Sequence, residues 1–240
     1  MVTLRPFRPA DTADVYDVCV RTADAGADAT GQLSRDDLWG DIFAGPYLAL
    51  EPELAFVLDD GVRVVGYVLG TADTQWWAAE HRARWLPRVA DTYPRVAEPT
   101  TREEHLVDLL HDPEHYVHPE LADHPAHLHI DVLPAHQGQG HGRRLIETFL
   151  AALAERGVPG VHLSVLEANT RARGFYARMG FTELPVHEPD VVFLGRAVAP
   201  RPAVVARHGR ARGSARGRGD VGHPPGPGSG PGAASSSALR

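Results

Sequence analysis

Lysine is absent from this 240-residue chain, and all 24 of its strongly basic residues are arginines. That absence excludes a P-loop, whose Gly-x4-Gly-Lys-Ser/Thr pattern requires a lysine beside the phosphates. Cysteine occurs once, at Cys19, so no internal disulfide can form, which fits a reducing compartment. Cys19 shares the apolar spacing of Val15 and Val18 on a predicted helix and reads as a small core residue rather than a nucleophile. No apolar run approaches the length of a membrane span. Met1–Ala10 carries Arg5 and Arg8 with no apolar stretch after them, so no secretory signal is expected and a cytoplasmic location is.

Charge is unevenly spread. Residues 1–198 hold 17 arginines against 30 Asp and Glu, whereas residues 199–240 hold seven arginines against the single acid Asp220. The second segment is rich in Arg, Gly and Pro and lacks the apolar groups that offset chain entropy, so it reads as a disordered tail. An electrostatic arm for nucleic acid is the competing reading of that tail. It has no aromatic side chains on which bases could stack, so nucleic acid is not an expected partner. Residues 1–198 suit one domain with a substantial core.

The densest information lies in residues 132–144, Val-Leu-Pro-Ala-His-Gln-Gly-Gln-Gly-His-Gly-Arg-Arg. A strand-like run, His127 to Val132, enters a turn containing Gly138, Gly140 and Gly142, and a helix follows from Arg143 to Arg156. The first amides of a helix have no internal partner, and the helix dipole adds partial positive charge there. With side chains removed from the preceding turn, the backbone can approach a ligand closely. The arrangement suits a pyrophosphate. It is not the dinucleotide fingerprint, because the glycines run G-x-G-x-G past mid-chain and no acidic ribose-binding residue ends the next strand.

Around this loop the pattern predicts strands at Thr3–Arg8, Leu54–Leu58, Val62–Gly70, Val161–Leu166, 181–185 and 191–196. Leu54–Leu58 and Val62–Gly70 form a hairpin about Asp59-Asp60-Gly61. Helices are predicted from Asp11 to Thr22, from Ser34 or Asp36 to Phe43, and from Arg171 to Met179, with Gly180 as a left-handed stop. The segment from Thr71 to Ala126 reads as an ordered helical insertion. Trp77, His81 and Trp85 recur at i, i+4, i+8, and Thr101-Arg-Glu-Glu104 is a capping box before Leu106, Leu109 and Leu110. Seven of the chain's fourteen histidines gather in the later part of this segment and just after it: His105, His111, His115, His118, His124, His127 and His129. Their spacings include His111-x3-His115 and His127-x-His129, but no cysteine accompanies them and Pro113, Pro119 and Pro125 break any single helix, so no metal is expected.

Gln137-x-x-Gly140-x-Gly142 resembles the acyl-CoA loop of the GNAT acetyltransferases. The downstream segment Asn169-Thr-Arg-Ala172-Arg-Gly-Phe175-Tyr176-Ala-Arg-Met-Gly180-Phe181 is similar to that family's second motif, in the family's order and spacing. The resemblance spans roughly residues 1–198. The insertion, the phrase His-Leu-His-Ile-Asp-Val-Leu-Pro and the ending Asp190-Val-Val-Phe-Leu-Gly-Arg196 further resemble the acetyltransferase-like domain of animal O-GlcNAcases and its stand-alone bacterial relatives.

The resemblance implies an α/β (α+β) GNAT fold: a mixed central sheet of six to seven strands with flanking helices and a V-shaped opening between the fourth and fifth strands. It implies acetyl-CoA as co-substrate and direct transfer of the acetyl group to an amine, without a covalent enzyme intermediate. Backbone amides of Val132 and Leu133 would polarise the thioester carbonyl. The loop residues Gln137, Gly138, Gln139, Gly140, His141, Gly142 and Arg143 would hold the pyrophosphate, and Asn169 would tie the cofactor arm to the following helix. Tyr176 matches the family's general acid, which protonates the departing sulfur. Asp131 is the candidate base and Glu167 its reserve. Gln137 stands where arginine is more usual and His141 where an apolar residue is, and the first change removes a cation. The acidic body favours a cationic small-molecule or peptide amine. A homodimer stays open, as does the alternative of a catalytically weak acyl-CoA-binding or interaction module like the O-GlcNAcase domain.

Overall fold

The computed structural model describes residues 1–199; of the segment 199–240 read as a disordered tail, all but residue 199 lies outside the described residues. Seven strands form one sheet: β1 (Thr3–Pro6), β2 (Phe56–Asp59), β3 (Val64–Thr71), β4 (Ala126–Val132), β5 (Gly160–Leu166), β6 (Thr182–Glu183) and β7 (Val191–Ala197). Their spatial order is β1-β2-β3-β4-β5-β7-β6. Every neighbouring pair is antiparallel except β4 and β5, which run parallel. This is the mixed α/β sheet that the sequence implied. Eight α-helices accompany it among the described residues: α1 (Thr12–Val20), α2 (Asp37–Phe43), α3 (Gly45–Leu50), α4 (Thr74–Glu80), α5 (Leu86–Val89), α6 (Arg102–Leu110), α7 (His141–Glu155) and α8 (Thr170–Arg178).

Side-chain alternation along β4 assigns the two faces. Leu128 lies opposite Gly70 of β3 on the side covered by α7. A Cβ at Gly70 would sit 2.1 Å from the His127 carbonyl oxygen and 2.8 Å from the Phe149 ring of α7. Glycine is therefore what lets β3, β4 and α7 meet. Helix α7 buries Leu145, Ile146, Phe149, Leu150 and Leu153, an amphipathic spacing in which each side chain contributes about 1.5–3 kcal/mol on burial. The opposite face carries His127 and His129, and α1, α3 and the insertion between β3 and β4 cover it.

That insertion is ordered and built as its residues suggested. Asp73 caps α4 by accepting from the amides of Gln75 and Trp76, and Thr101 with Glu104 forms the capping box of α6. A π-helical turn, His81–Trp85, follows α4. Trp77, His81 and Trp85 are all buried, so the stripe is core. Trp77 stacks on Tyr47 of α3 with centroids 4.7 Å apart. The insertion is also anchored at Asp41 of α2, which accepts from Tyr16 (2.8 Å) and Tyr93 (2.9 Å) while its carbonyl accepts from the Trp85 indole (2.9 Å). Burial pushes the Asp41 carboxyl up despite those two donors.

Helix α3 has no counterpart in the sequence reading. Gly45-Pro46 looks like a break, but proline fits the first turn of a helix, where its missing N–H costs nothing.

Two stability outcomes follow. Gly70→Ala should lower stability by about 1–3 kcal/mol or more, because a strand carbonyl cannot swing aside; a urea melt measures it. Histidines 81, 127 and 162 are buried and neutral: burial holds His81 and His162 down at about 4 and pushes His127 well below the ordinary histidine range. Below pH 6.5 the unfolded chain takes up protons that the folded chain refuses, so stability is full above that pH and falls as pH drops toward 4, by about 3 kcal/mol for each of the first two. Urea midpoints across this range should fall less steeply in His81→Asn/His162→Asn than in the parent.

Candidate active site

The functional cleft begins where β4 and β5 part. Their register joins only Ala126 with Val161 and His127 with His162, whereas β4 continues against β3 through Val132. Beyond His127 the two parallel strands diverge and leave one edge of β4 unpaired with β5. Leu133 donates its N–H to Val65 O at 2.9 Å. Antiparallel alternation then turns the amides of His129 and Asp131 toward β3 as well, and those of Leu128, Ile130 and Val132 toward the opening. Leu133 is thus a correction: its amide belongs to the sheet and cannot polarise a bound carbonyl. The amides that do face the opening there are those of Ile130 and Val132.

The cleft has a volume of about 530 Å³. Val132, Gln137, Gly138, Gly140, Gly142, Arg143, Asn169 and Tyr176 all line it, as does Asp131. Gly138 and Gly140 have φ of 74° and 81°, and a Cβ at either would meet nothing within 4 Å. The backbone angle therefore selects glycine here, while the surrounding space stays open to a ligand. Gly140 is the N-cap of α7, and the amides of His141, Gly142 and Arg143 precede the helix's first internal bond, Arg144 N to Gly140 O. Two expected side chains do not reach the cleft. Gln139 folds back to donate to Ala135 O at 3.0 Å, and the His141 ring is buried with neither nitrogen partnered. Both can serve only through backbone amides.

Gln137 has a part that its sequence pattern did not show. Its amide nitrogen donates to Val132 O at 2.8 Å, and its carbonyl oxygen accepts from Arg171 at 2.8 Å. The side chain thereby links the end of β4 to the first turn of α8 across the mouth of the cleft, and Arg171 supplies the cation that Gln137 lacks. Asn169 caps α8 by accepting from Ala172 N at 3.0 Å.

Tyr176 is packed between Phe175 and Phe181. Burial first and the nearby Asp131 carboxylate second push its hydroxyl pKa up, so it stays protonated at neutral pH. Asp131 accepts from Tyr67 at 2.5 Å. Glu167 does not line the cleft; its backbone bonds Asp190 and Arg173, and it is no longer a candidate base. Across from these groups, Thr22, Ala25 and Gly26 form a second lip. His129 also lines the cleft, and its Nε2 meets the Tyr47 hydroxyl at 3.0 Å. Sequence reading weighed His129 as a metal ligand and set it among ordinary histidines instead, although alternation already set His127, His129 and Asp131 on one strand face.

The chain's relatives agree with this geometry. A family model described as the acetyltransferase (GNAT) family matches residues 28–181. Protein O-GlcNAcase of Rattus norvegicus is 30% identical over 203 residues, 82% of this chain but 22% of that protein's length. The crystal structure of SsHAT matches with a TM-score of 0.80 at 54% identity, covering 82% of this chain and 98% of that one. At 15% identity and a TM-score of 0.50, yncA from Salmonella typhimurium with its cofactor acetyl-CoA shares the fold, over 85% of this chain and 98% of that one. The family model covers more than half of the sequence, and its motifs line the opening between β4 and β5: the chain belongs to the GNAT family of acetyltransferases.

Proposed function

We propose that this protein transfers an acetyl group from acetyl-CoA directly to a cationic primary amine. The carrying observation is the coincidence of two features: β4 and β5 separate after two register positions, and the left-handed glycines at the start of α7 open into that separation. The co-substrate supplies an activated thioester. Amides from Gly138 to Arg143, with Arg143 and Arg171 beside them, fit its pyrophosphate. The amides of Ile130 and Val132 on the open edge of β4 are placed to stabilise the oxyanion that develops at the thioester carbonyl.

A thiol is the weaker base of the two partners and leaves as thiolate, while an alkylammonium must first lose a proton. Tyr176, kept protonated by its burial, is assigned the proton that goes to the departing sulfur. Asp131 faces the same space and is assigned to draw in the ammonium group, taking its proton directly or through water. The lip of Thr22, Ala25 and Gly26 is assigned to the acceptor side. An excess of carboxylates in residues 1–198 favours a cation there.

Two variants separate binding from chemistry. Gly140→Val forces a β-branched side chain into a left-handed angle at the cradle and should weaken acetyl-CoA binding at least about tenfold, some 1.4 kcal/mol, by calorimetry. Unchanged affinity would remove the loop from the site. Tyr176→Phe should bind acetyl-CoA normally yet release CoA in the presence of amine on the order of 10²-fold more slowly. Should the wild type bind acetyl-CoA but release no CoA with any amine, the protein is a binding module instead.

A further inference from the structure

Ala25 stands on the lip of the cleft with φ of 50°, beside Gly26 at 92°. Asp24 and Ala27 flank them and exchange two hydrogen bonds, Asp24 N to Ala27 O at 3.1 Å and Ala27 N to Asp24 O at 2.8 Å. Two left-handed residues between such a pair make a type I′ turn, which favours Asn-Gly or Gly-Gly and here holds an alanine. Among the described residues only Ala25 and Asp190 carry a side chain at positive φ. A strained angle of this kind persists where its surroundings over-determine it. Apolar packing does little of that work: between α1 and α2 only Ala23 and Ala29 are buried hydrophobics, with Leu33 partly buried.

The remaining hold comes from the insertion. Arg102, the first residue of α6, donates from Nη1 to Gln32 Oε1 at 2.6 Å, and its Nη2 lies 3.6 Å from Asp24 Oδ1. Its guanidinium rests over the ring of Trp39 in α2, 5.0 Å from the centroid. Gln32 in turn donates to Asp24 Oδ2 at 3.2 Å. The helix dipole opposes a cation at the start of α6, yet all three partners of this guanidinium fall within residues 24–39, so Arg102 serves the loop rather than its own helix. Beside it, Glu103 accepts from the amide of Ser34 at 2.8 Å and from the Ser34 hydroxyl. The platform is firm, because α6 has its capping box and buries Leu106, Val107, Leu109 and Leu110.

We propose that Arg102 is a positioning residue for acceptor specificity: from the insertion it holds the Ala25–Gly26 turn in its left-handed form and so sets the entrance through which the amine reaches the cleft. This rests on the acetyl-transfer reading and its assignment of the lip to the acceptor, whereas the clamp on the turn exists in the protein alone. The tip of the turn offers backbone and one methyl group, so its shape rather than a charge sorts acceptors. Arginine suits the task because a planar fork can grip Gln32 and Asp24 together while lying flat on an indole, which the point charge of lysine cannot do. The ion pair is half exposed and adds little to overall stability, so its loss loosens the turn without unfolding the domain.

The test has two arms on the full chain. Hydrogen exchange read by NMR reports the clamp. The Ala27 amide, protected by its bond to Asp24, should exchange on the order of tenfold faster in Arg102→Ala, with Arg102→Lys between that variant and the wild type. Ala25→Gly suits the left-handed angle and adds no atom to the cleft, so Arg102→Ala/Ala25→Gly should regain most of the protection. The second arm uses the primary amine that gives the wild type its fastest CoA release. Arg102→Ala should raise the KM for that amine on the order of tenfold with kcat within about twofold, leave acetyl-CoA affinity by calorimetry unchanged, and recover its KM in the double variant. Unchanged Ala27 exchange in Arg102→Ala overturns the proposal whatever the activity. Faster exchange with a wild-type KM also overturns it and takes the lip off the acceptor path, while acetyl transfer stands. Weakened acetyl-CoA binding in Arg102→Ala overturns it as well, since the whole cleft has then shifted. A wild type that binds no acetyl-CoA, or that releases no CoA with any amine, overturns the acetyl-transfer reading and the proposal together.

Discussion

The parallel contact between β4 and β5 is the constraint from which the site follows. It lasts for two residue pairs because β4 is committed elsewhere. Its other edge is fully paired to β3, its α7 face is held by Phe149 against Gly70, and its opposite face is held by Tyr47, Trp77 and Tyr116 around His127. With three sides fixed, β4 cannot bend to follow β5. The unpaired edge presents amides to a ligand without the buried, unsatisfied state that would ordinarily make an open strand edge costly.

The insertion is consequently part of what holds β4 beside the cleft rather than an appendage. It supplies Trp77 and Tyr116 to the packing around β4 and Thr74 to a hydrogen bond with the His127 ring. Asp41 and the buried carboxylate of Glu51 lock its two flanks. Glu51 accepts from Thr71 at 2.6 Å, from the amide of Ala72 at 3.2 Å and from Arg156 at the end of α7. The same buried histidines that order the strand also make this region sensitive to acid, since each must stay uncharged to remain inside.

Gln137 shows how a departure from a family pattern can be absorbed. Losing a cation from the loop would weaken an anion site by simple Coulomb reasoning. The side chain instead recruits Arg171 from 34 residues away, so positive charge is restored on a second element, and the two arms of the V gain a direct tie through Val132 O.

Much of this was legible in the linear chain, and the division has a physical basis. Contiguous residues determined the strand–glycine–helix unit, the capped helices of the insertion, the buried tryptophan stripe and the motifs of the family, because backbone angles, caps and side-chain periodicity act over a few residues. Helix α3 escaped because Gly45-Pro46 reads locally as a stop. Tertiary structure alone decided which β4 amides face the cleft, since that depends on the pairing of Leu133 with Val65. It alone joined Tyr47 to His127, 80 residues apart, and set the ring of His129 against the same hydroxyl. The partner of a buried ring is whichever donor or acceptor arrives through space, and no local pattern encodes that arrival.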